Sequence, residues 1–519
     1  MRKRTSIWTV AVIACALGAA WAQETPPPED SSTPSAPQQP IPAYGQDNSA
    51  APVSENPPIT GLDLPSLEPH TAPLSYLQPG ATFSESADSN AASAVGGRQH
   101  FSSLTRALGS LELRRLWSNY DLAIDYVGGV GYYSLQGQGA KLLQQMDLDQ
   151  KITWKRGQLS LRDSFSYLPE GNFGASYGSM GARGIGSLAG TSFGAFMGGS
   201  ALGTFGLVPR ILNVADADVT ENLTPKSSVT AAGGYAFTHF YGNDFTTGTS
   251  FLGVSQVSGQ AAYDRVLSPH TQVALVYGYQ GFDFSVSGIA FHTHVIEAMY
   301  GHRITGRMDL LIGAGPQITK LDTKSAVCSD PTVTSILLCE LIGDTVVPTT
   351  IKDTKIGAAA TFRLRYKFPR TSVDLTYQRY DTSGSGLFGG AQTDLAKITV
   401  ERPLSRVWNA FVDLGYSHNT RLQTLSAEQT GSCVYQGQPN PTGLPLCPGF
   451  NAKTFDLGFV GAGLHRQFGH DFHGFFSYQF NELAFDNSFC VAGIACNRIA
   501  NRQAITFGVD WTPRPMRLD

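Results

Sequence analysis

The segment Met146-Asp-Leu-Asp-Gln-Lys-Ile-Thr-Trp154 alternates apolar and polar side chains along its length. Its apolar residues would share one face of a β-strand, because successive side chains of a strand point to opposite faces. The same period of two recurs in residues 120–126, 358–367, 408–417 and 504–511. This pattern predicts an all-β chain from residue 117 onward, although alternation alone is also typical of soluble sandwiches.

The connections between these segments are of two kinds. Short polar turns are predicted at 155–157, 224–227, 268–271, 305–307, 369–371, 403–406 and 469–471. Between them lie connections of uneven length, at 135–141, 168–208, 242–253, 285–290, 321–354, 381–391, 420–452 and 486–500. Short turns on one side and longer loops on the other are typical of transmembrane β-barrels. Seven turns and eight loops predict sixteen strands over residues 117–512, with both termini in the periplasm.

Composition and charge exclude several other classes of protein. Only 15% of the 519 residues are charged, against about 25% on average. The sequence contains no run of 18 or more apolar residues, so no transmembrane helix is expected. The formal charge is −4, and it becomes −7 once Arg2, Lys3 and Arg4 are removed with the N-terminal segment 1–22. This acidic balance argues against a nucleic-acid partner, which would require a basic face.

The N-terminal region predicts export. Residues 1–22 combine a basic start, a short apolar core and an Ala-Trp-Ala end, as expected of a secretory signal peptide. An alternative is a lipoprotein box that ends at Cys15. Residues 23–80 contain 14 prolines, so residues 23–100 are predicted to be a disordered periplasmic linker. A short amphipathic helix is predicted over 101–116, because Leu104, Leu108 and Leu111 would form one stripe.

Tryptophan and cysteine positions agree with a barrel that begins at residue 117. The four tryptophans beyond the signal peptide, Trp117, Trp154, Trp408 and Trp511, fall at the predicted periplasmic ends of strands. Indole rings favour the membrane–water interface, so they predict an aromatic girdle. Six cysteines allow 15 disulfide connectivities, and three pairs local to the long loops are the simplest: Cys328 with Cys339, Cys433 with Cys447, and Cys490 with Cys496. Such disulfides are expected in an oxidising exterior.

Residues 117–512 resemble the Gram-negative outer-membrane β-barrel proteins of porin-like type. The resemblance is carried by the sequence of turns and by Asp147–Trp154 and Ile505–Trp511. It implies a sixteen-stranded pore in outer-membrane lipid, inserted by the barrel-insertion machinery. Such barrels usually end in an aromatic residue, whereas here Trp511 is followed by Thr512–Asp519.

The sequence offers little evidence of catalysis or of cofactor binding. Gly190-Thr-Ser-Phe-Gly194 matches a nucleophile motif, but it lies in a glycine-rich loop rather than in a strand-to-helix elbow. His292 with His294, and the group His465, His470 and His473, are more simply explained as strand and turn residues than as metal ligands. The chain is therefore predicted to be no enzyme and to hold no cofactor or metal. The loop at 168–208 could fold into the lumen and narrow it, remain a flexible external loop, or serve in adhesion.

The polar face of the strands predicts the residues that select solutes. Acidic candidates are Asp121, Asp125, Asp147 and Asp149, and basic candidates are Arg363, Arg365 and Lys367. Charged rings in a water-filled barrel bias which ions pass, although solvation of a wet wall would explain the same residues. The favoured function is passive diffusion of small polar solutes or ions. The alternatives are an adhesive surface barrel, or an export conduit whose proline-rich tail meets a periplasmic partner.

Overall fold

The structure is a computed structural model of the chain. It describes residues 75–90, 101–134, 139–168, 210–241, 253–284, 289–329, 345–384, 389–423, 434–435, 438–439, 452–489 and 498–518. Asn487–Phe489 forms a 3-10 turn. No helix in the described part of the chain is long and apolar enough to span a membrane.

Eighteen long strands make up nearly all of the described chain. They are β1 Tyr76–Asp88, β2 Ser102–Leu116, β3 Tyr120–Tyr133, β4 Gly139–Trp154, β5 Gly157–Leu168, β6 Arg210–Thr224, β7 Ser227–Phe240, β8 Val254–Ser268, β9 Thr271–Phe284, β10 Ile289–Thr305, β11 Met308–Cys328, β12 Val346–Lys367, β13 Ser372–Thr382, β14 Ala391–Pro403, β15 Trp408–Arg421, β16 Thr454–Phe468, β17 Phe472–Phe485 and β18 Ile499–Trp511. Val434–Tyr435 and Gln438–Pro439 form a separate short pairing.

Each long strand pairs antiparallel with the next one along the chain, and the last pairs with the first. At this closing seam, Asp510 of β18 lies opposite Thr82 of β1. The Thr82 hydroxyl donates a hydrogen bond of 2.6 Å to the Asp510 carboxylate. The sheet is therefore a closed barrel, which confirms the predicted all-β barrel class.

The two ends of the barrel differ in their connections. Eight tight turns lie at one end, here called the short-turn end, and include all seven predicted turns. Nine connections of uneven length, from 285–288 as the shortest to 169–209 as the longest, lie at the other end, the long-loop end. The strand over 209–222, whose alternation is poor in the sequence, is present as β6.

The prediction of sixteen strands was too low by one hairpin. The helix predicted over 101–116 is wrong, because these residues form β2, and residues 76–88 of the predicted linker form β1. Leu104 is buried inside the barrel, whereas Leu111 is on the outer face and 43% exposed. Residues four apart in the chain lie on one face both in a helix and in a strand. The spacing of Leu104 and Leu108 therefore could not distinguish a helix from a strand. The barrel begins at Tyr76 rather than at residue 117.

β1 escaped detection because its inner face is not apolar. Its inward residues include Thr82, Ser84 and Ser86, which are 9%, 2% and 5% exposed. Phe83, on the outer face, is 58% exposed. A strand with small polar residues inside and few large apolar residues outside is similar in composition to a linker. The signal peptide and the linker up to residue 74 lie outside the described residues.

The residues after Trp511 complete the closing seam. β18 pairs with β1 only over Ala81–Asp88, and Met516–Arg517 then pair with Tyr76–Leu77. The Thr512 amide donates to the Asp471 carbonyl at 2.7 Å, and the Leu518 amide donates to the Ser75 carbonyl at 3.2 Å. The C-terminal tail, residues 512–518, therefore covers the edge of β1 that β18 leaves unpaired.

The seam between β12 and β13 is short and lacks a similar cover. β11 pairs with β12 along its whole length, Met308–Cys328, whereas β13 pairs with β12 only over Ala360–Lys367. No other described strand pairs with residues 346–359 of β12 along that edge. The loop predicted at 321–354 is also shorter than expected, because β11 and β12 extend into it.

Candidate functional site

The candidate site is the lumen of the barrel, whose lining is polar. On β8, the inward residues Gln256 and Asp264 are 5% and 3% exposed. The outward residues Val257 and Tyr263 are 52% and 44% exposed. Polar residues inside and apolar residues outside invert the arrangement of a soluble protein and match a barrel surrounded by lipid.

The structure places all seven predicted selectivity residues on inner faces. Asp121 and Asp125 lie on the same face of β3 as the buried Tyr133, which is 3% exposed. Asp147 and Asp149 lie on the same face of β4 as the buried residues Gln145 and Lys151, which are 7% and 3% exposed. On β12, the predicted basic residues share a face with Ala359, which is 5% exposed; they are Arg363, Arg365 and Lys367.

The acidic and basic sets lie on opposite walls. β3 and β12 are nine places apart in a ring of eighteen strands, so each faces the other across the lumen. The sequence alone could not show this arrangement, because strand spacing around the ring depends on the total number of strands.

Basic residues interleave with the acidic wall. Arg114 of β2 forms an ion pair of 2.8 Å with Asp121. Arg162 of β5 lies opposite Asp149 and Asp216 in the strand register and is 3.4 Å from the Asp149 carboxylate. This wall therefore carries less net negative charge than its aspartates suggest. Arg114 was missed because it falls in the predicted helix, whereas the parity of β5 could have revealed Arg162.

The basic wall also carries counter-charges. Asp374 of β13 accepts two hydrogen bonds from Arg363, at 3.0 Å from Nε and 2.7 Å from Nη2. In the strand register, Arg365 lies between this carboxylate and that of Asp309 on β11. The three cations of β12 thus share their wall with carboxylates from both neighbouring strands.

One row of the acidic wall contains three neighbouring carboxylates. Glu112, Asp125 and Asp147 lie opposite one another on β2, β3 and β4. The Tyr76 hydroxyl donates to Glu112, and the Ser164 hydroxyl donates to Asp147 at 2.5 Å. Glu112, like Arg114, was missed because the sequence predicted a helix there.

The half of the lumen near the long-loop end is lined by apolar clusters. One joins β9, β10 and β11 through Phe282, Phe284, Phe291 and Leu321, and also includes Leu422. The other joins β14, β16, β17 and β18, and its members are Ala391, Leu395, Ala452, Phe455, Leu457, Phe459, Leu483, Phe485 and Ala500. Charged side chains therefore line one half of the lumen, whereas in the other half these apolar side chains, at most 6% exposed, pack against one another.

The four tryptophans all lie at the short-turn end, on strands spread around the ring. Trp117 and Trp154 are 49% and 42% exposed, and Trp511 is 39% exposed. The Trp154 indole donates to Glu221 at 2.7 Å. The guanidinium of Arg466 lies 5.1 Å from the ring of Trp408. These rings occupy one edge of the apolar outer surface, where an aromatic girdle is predicted.

A polar contact ties two connections at the long-loop end. The carboxylate of Asp486, which follows β17, accepts hydrogen bonds from the amides of Lys453 and Thr454 at 2.8 and 2.9 Å. Partial burial would raise the pKa of Asp486, but these bonds and those from Ser488 outweigh burial and lower the pKa below its usual value. The ionised carboxylate therefore stabilises this rim.

The other residues named from the sequence do not form a shared site. His292 and His294 lie on the outer face of β10, whereas His465 and His473 lie on the inner faces of β16 and β17. Within the described ranges, no group of three His, Cys, Asp or Glu side chains could hold a metal ion. The nucleophile-like motif at 190–194 and the loop at 169–208 lie outside the described residues.

The disulfide pairings stay a prediction. Cys328, at the end of β11, is disulfide-bonded. The other five cysteines of the three predicted pairs lie outside the described residues, and they are Cys339, Cys433, Cys447, Cys490 and Cys496.

A closed antiparallel barrel with a polar lumen and an apolar outer face is consistent with the outer-membrane, porin-like type of β-barrel that the sequence resembles. No protein-family model matches the chain. No curated protein matches it. Among solved structures it is similar to outer-membrane proteins of Pseudomonas aeruginosa. OpdK has 8% identity and a TM-score of 0.38, with 84% of this chain and 98% of that chain covered. OpdL and OprD each have 9% identity and a TM-score of 0.37, with 85% of this chain and 98% and 96% of theirs covered. At identities and TM-scores this low, the likeness supports no conclusion about this chain.

Proposed function

We propose that this barrel spans the outer membrane of a Gram-negative bacterium as a passive diffusion channel for small polar solutes or ions. The observation that carries the proposal is the charged lumen enclosed by an apolar outer face. Charged residues on opposite inner walls would destabilise a solid apolar core, because burying a charge away from water costs free energy. In a wet lumen the same charges attract or repel passing ions.

The barrel is oriented with its short-turn end and both termini in the periplasm. The support is the pattern common to such barrels, in which short turns are periplasmic and longer loops face outward. The tryptophans at the short-turn end then mark the periplasmic membrane boundary. Passage involves no covalent step, so the channel needs neither a catalytic residue nor a cofactor.

Charges of both signs lie on opposite inner walls, and each wall also carries counter-charges of its own. A solute that crosses this half of the lumen therefore experiences a transverse field. Neutralising cations on the β12 side should weaken the attraction of anions to that wall.

The test is single-channel recording in a planar bilayer of the refolded chain from Gln23 onward. We expect steady openings, and the reversal potential under a salt gradient then gives the ion preference of the unmodified channel. Arg363→Gln with Arg365→Gln should move the reversal potential toward cations. The matched control is Arg402→Gln, which removes an outward charge from β14, two strands away from β12, and should leave the reversal potential unchanged. A folded, heat-modifiable protein that gives no openings would contradict the proposal.

A further inference from the structure

The wall of the barrel is incomplete between β12 and β13. The two strands pair from Lys367 and Ser372 up to Ala360 and Arg379, and no further. β12 continues through 346–359, a stretch that pairs only with β11 among the described strands. An unpaired strand edge is a ready template for another strand, because its amides and carbonyls lack partners.

The end of β13 turns into the lumen instead of following β12. The Asp381 carboxylate accepts hydrogen bonds from the hydroxyls of Thr319, at 2.5 Å, and Thr293, at 2.9 Å. These threonines lie on the inner faces of β11 and β10, and both are buried. Asp381 is itself only 1% exposed. To reach Thr293 and Thr319, the end of β13 must cross the inner face of β12.

Small residues on β12 leave room for this crossing. Its inward residues at that height are Gly357 and Ala359. A Cβ on Gly357 would lie 3.2 Å from the Gln392 side-chain amide of β14, so β14 also approaches closely here. The inner tip, defined as residues 380–384 and 389–390, therefore packs inside the barrel as a second layer behind β12, whereas Ala391 and Gln392 stay paired with Arg421 and Thr420 of β15.

A second set of contacts holds the returning side of the inner tip. Gly390 has a φ of +106°, which favours glycine, and a Cβ there would lie 2.5 Å from the Phe291 ring. The Leu422 amide donates to the Gly390 carbonyl at 3.2 Å. The Lys355 ammonium donates to the Leu422 carbonyl. Leu422 packs in the apolar cluster that contains Phe291.

The free edge of β12 is a second possible position for the end of β13. Continuing the existing register by two positions would place Asp381 opposite Ala358. In that position β13 would satisfy amides and carbonyls of β12 and complete the wall, while the inner tip would leave the lumen. The same strand end thus has two mutually exclusive partners, the inner faces of β10 and β11 or the edge of β12.

We propose that the inner tip is a gate that opens the lumen by zipping β13 onto the free edge of β12. In the closed position the tip occupies the lumen and is held by Asp381 and by the contacts of Gly390. In the open position it becomes part of the wall. The inference rests on the proposed channel function, but the two positions can be detected without measuring any current.

The test uses Asp381→Cys with a second cysteine that differs between two variants. Thr319→Cys is its partner in the closed position, and Ala358→Cys is its partner in the open position. A short bifunctional thiol reagent that fluoresces only when both arms react measures each proximity in the folded full-length protein and leaves existing disulfides intact. The matched control is Thr399→Cys with Asp413→Cys, a threonine–aspartate pair with a 2.5 Å hydrogen bond within the intact β14–β15 wall.

We expect both Asp381 variants to become fluorescent, because both positions are visited. Cross-linking the 319–381 pair should lower the open fraction in single-channel records by at least about tenfold, because it removes one of two states. Cross-linking the 358–381 pair should hold the channel open, and the control cross-link should change neither. The gate is overturned if the 358–381 pair never reacts, or if both cross-links form and conductance stays the same. If no variant conducts, the channel function fails, while the two fluorescence yields still show whether the tip has two positions.

Discussion

The two shortest seams of this barrel, between β18 and β1 and between β12 and β13, have ladders of equal length. They differ in what lies beyond those pairs. The closing seam is extended by the C-terminal tail at the short-turn end and by an ion pair between Arg502 and Asp88 at the long-loop end. The other seam opens where the inner tip leaves β12.

This difference shows that the number of ladder pairs does not by itself determine how firmly a barrel wall is closed. At the closing seam, the Asn90 side chain donates to the Asn501 carbonyl at 3.1 Å, and the Ser89 amide donates to the Gln503 carbonyl at 2.9 Å. Backbone groups there have partners beyond the last pair. Unsatisfied backbone groups are costly in a bilayer, so a barrel must cover a free edge or offer it an alternative partner.

The largest effect is expected from deleting the C-terminal tail, residues 512–519. The deletion removes the pairing of Met516–Arg517 and the bonds to Asp471 and Ser75. At roughly 1 kcal/mol for each of about five hydrogen bonds, unfolding should become easier by about 5 kcal/mol. The loss of stability is measured as the fall in the midpoint temperature at which the folded, heat-modifiable band converts to the unfolded band on a gel.

Met516→Ala is the control for the tail, because it keeps the backbone pairing with Leu77. The variant should have a midpoint temperature close to that of the unmodified chain. An unchanged midpoint in the deletion would show that β18 closes the barrel without help from the tail.

The next largest effect is expected at the other end of the same seam. Asp88→Ala should destabilise the barrel by about 3 kcal/mol, because Arg502, whose side chain is only 13% exposed, would lose this carboxylate partner. The same thermal measurement applies. The double variant with Arg502→Ala should recover part of the loss, because it also removes the guanidinium that paired with Asp88. Additive losses in the double variant would contradict a coupled ion pair.

The smallest loss of stability is expected at the β12–β13 seam, where function should change instead. Thr319→Val removes one hydrogen bond to Asp381 and should cost about 1 kcal/mol. Because this bond holds only the closed position, the open fraction in single-channel records should rise. Thr399→Val removes an equivalent bond to Asp413 within an intact wall. It should cost similar stability and leave the open fraction unchanged, so equal open fractions in the two variants would argue against a gate.

The sequence by itself determined the class of fold, the positions of the short turns and the face of each strand that carries the polar residues. The period of two in Met146–Trp154 reports which side chains share a face, because that relation is local to one strand. The turn residues are local as well. The positions of Asp147 and Arg363 on inner faces therefore followed from their own strands.

Only the tertiary structure decided which faces meet and where strands part. The pairing of Arg162 with Asp149 depends on the register between neighbouring strands, and the opposition of β3 and β12 depends on the total of eighteen strands. β1 has too few large apolar residues to be recognised alone, and it becomes a strand because β2 and β18 both pair with it. The inward turn of Asp381 depends on two threonines, Thr293 and Thr319, that are distant from it in the chain. Such contacts are set by the closure of the ring, which no local pattern of residues encodes.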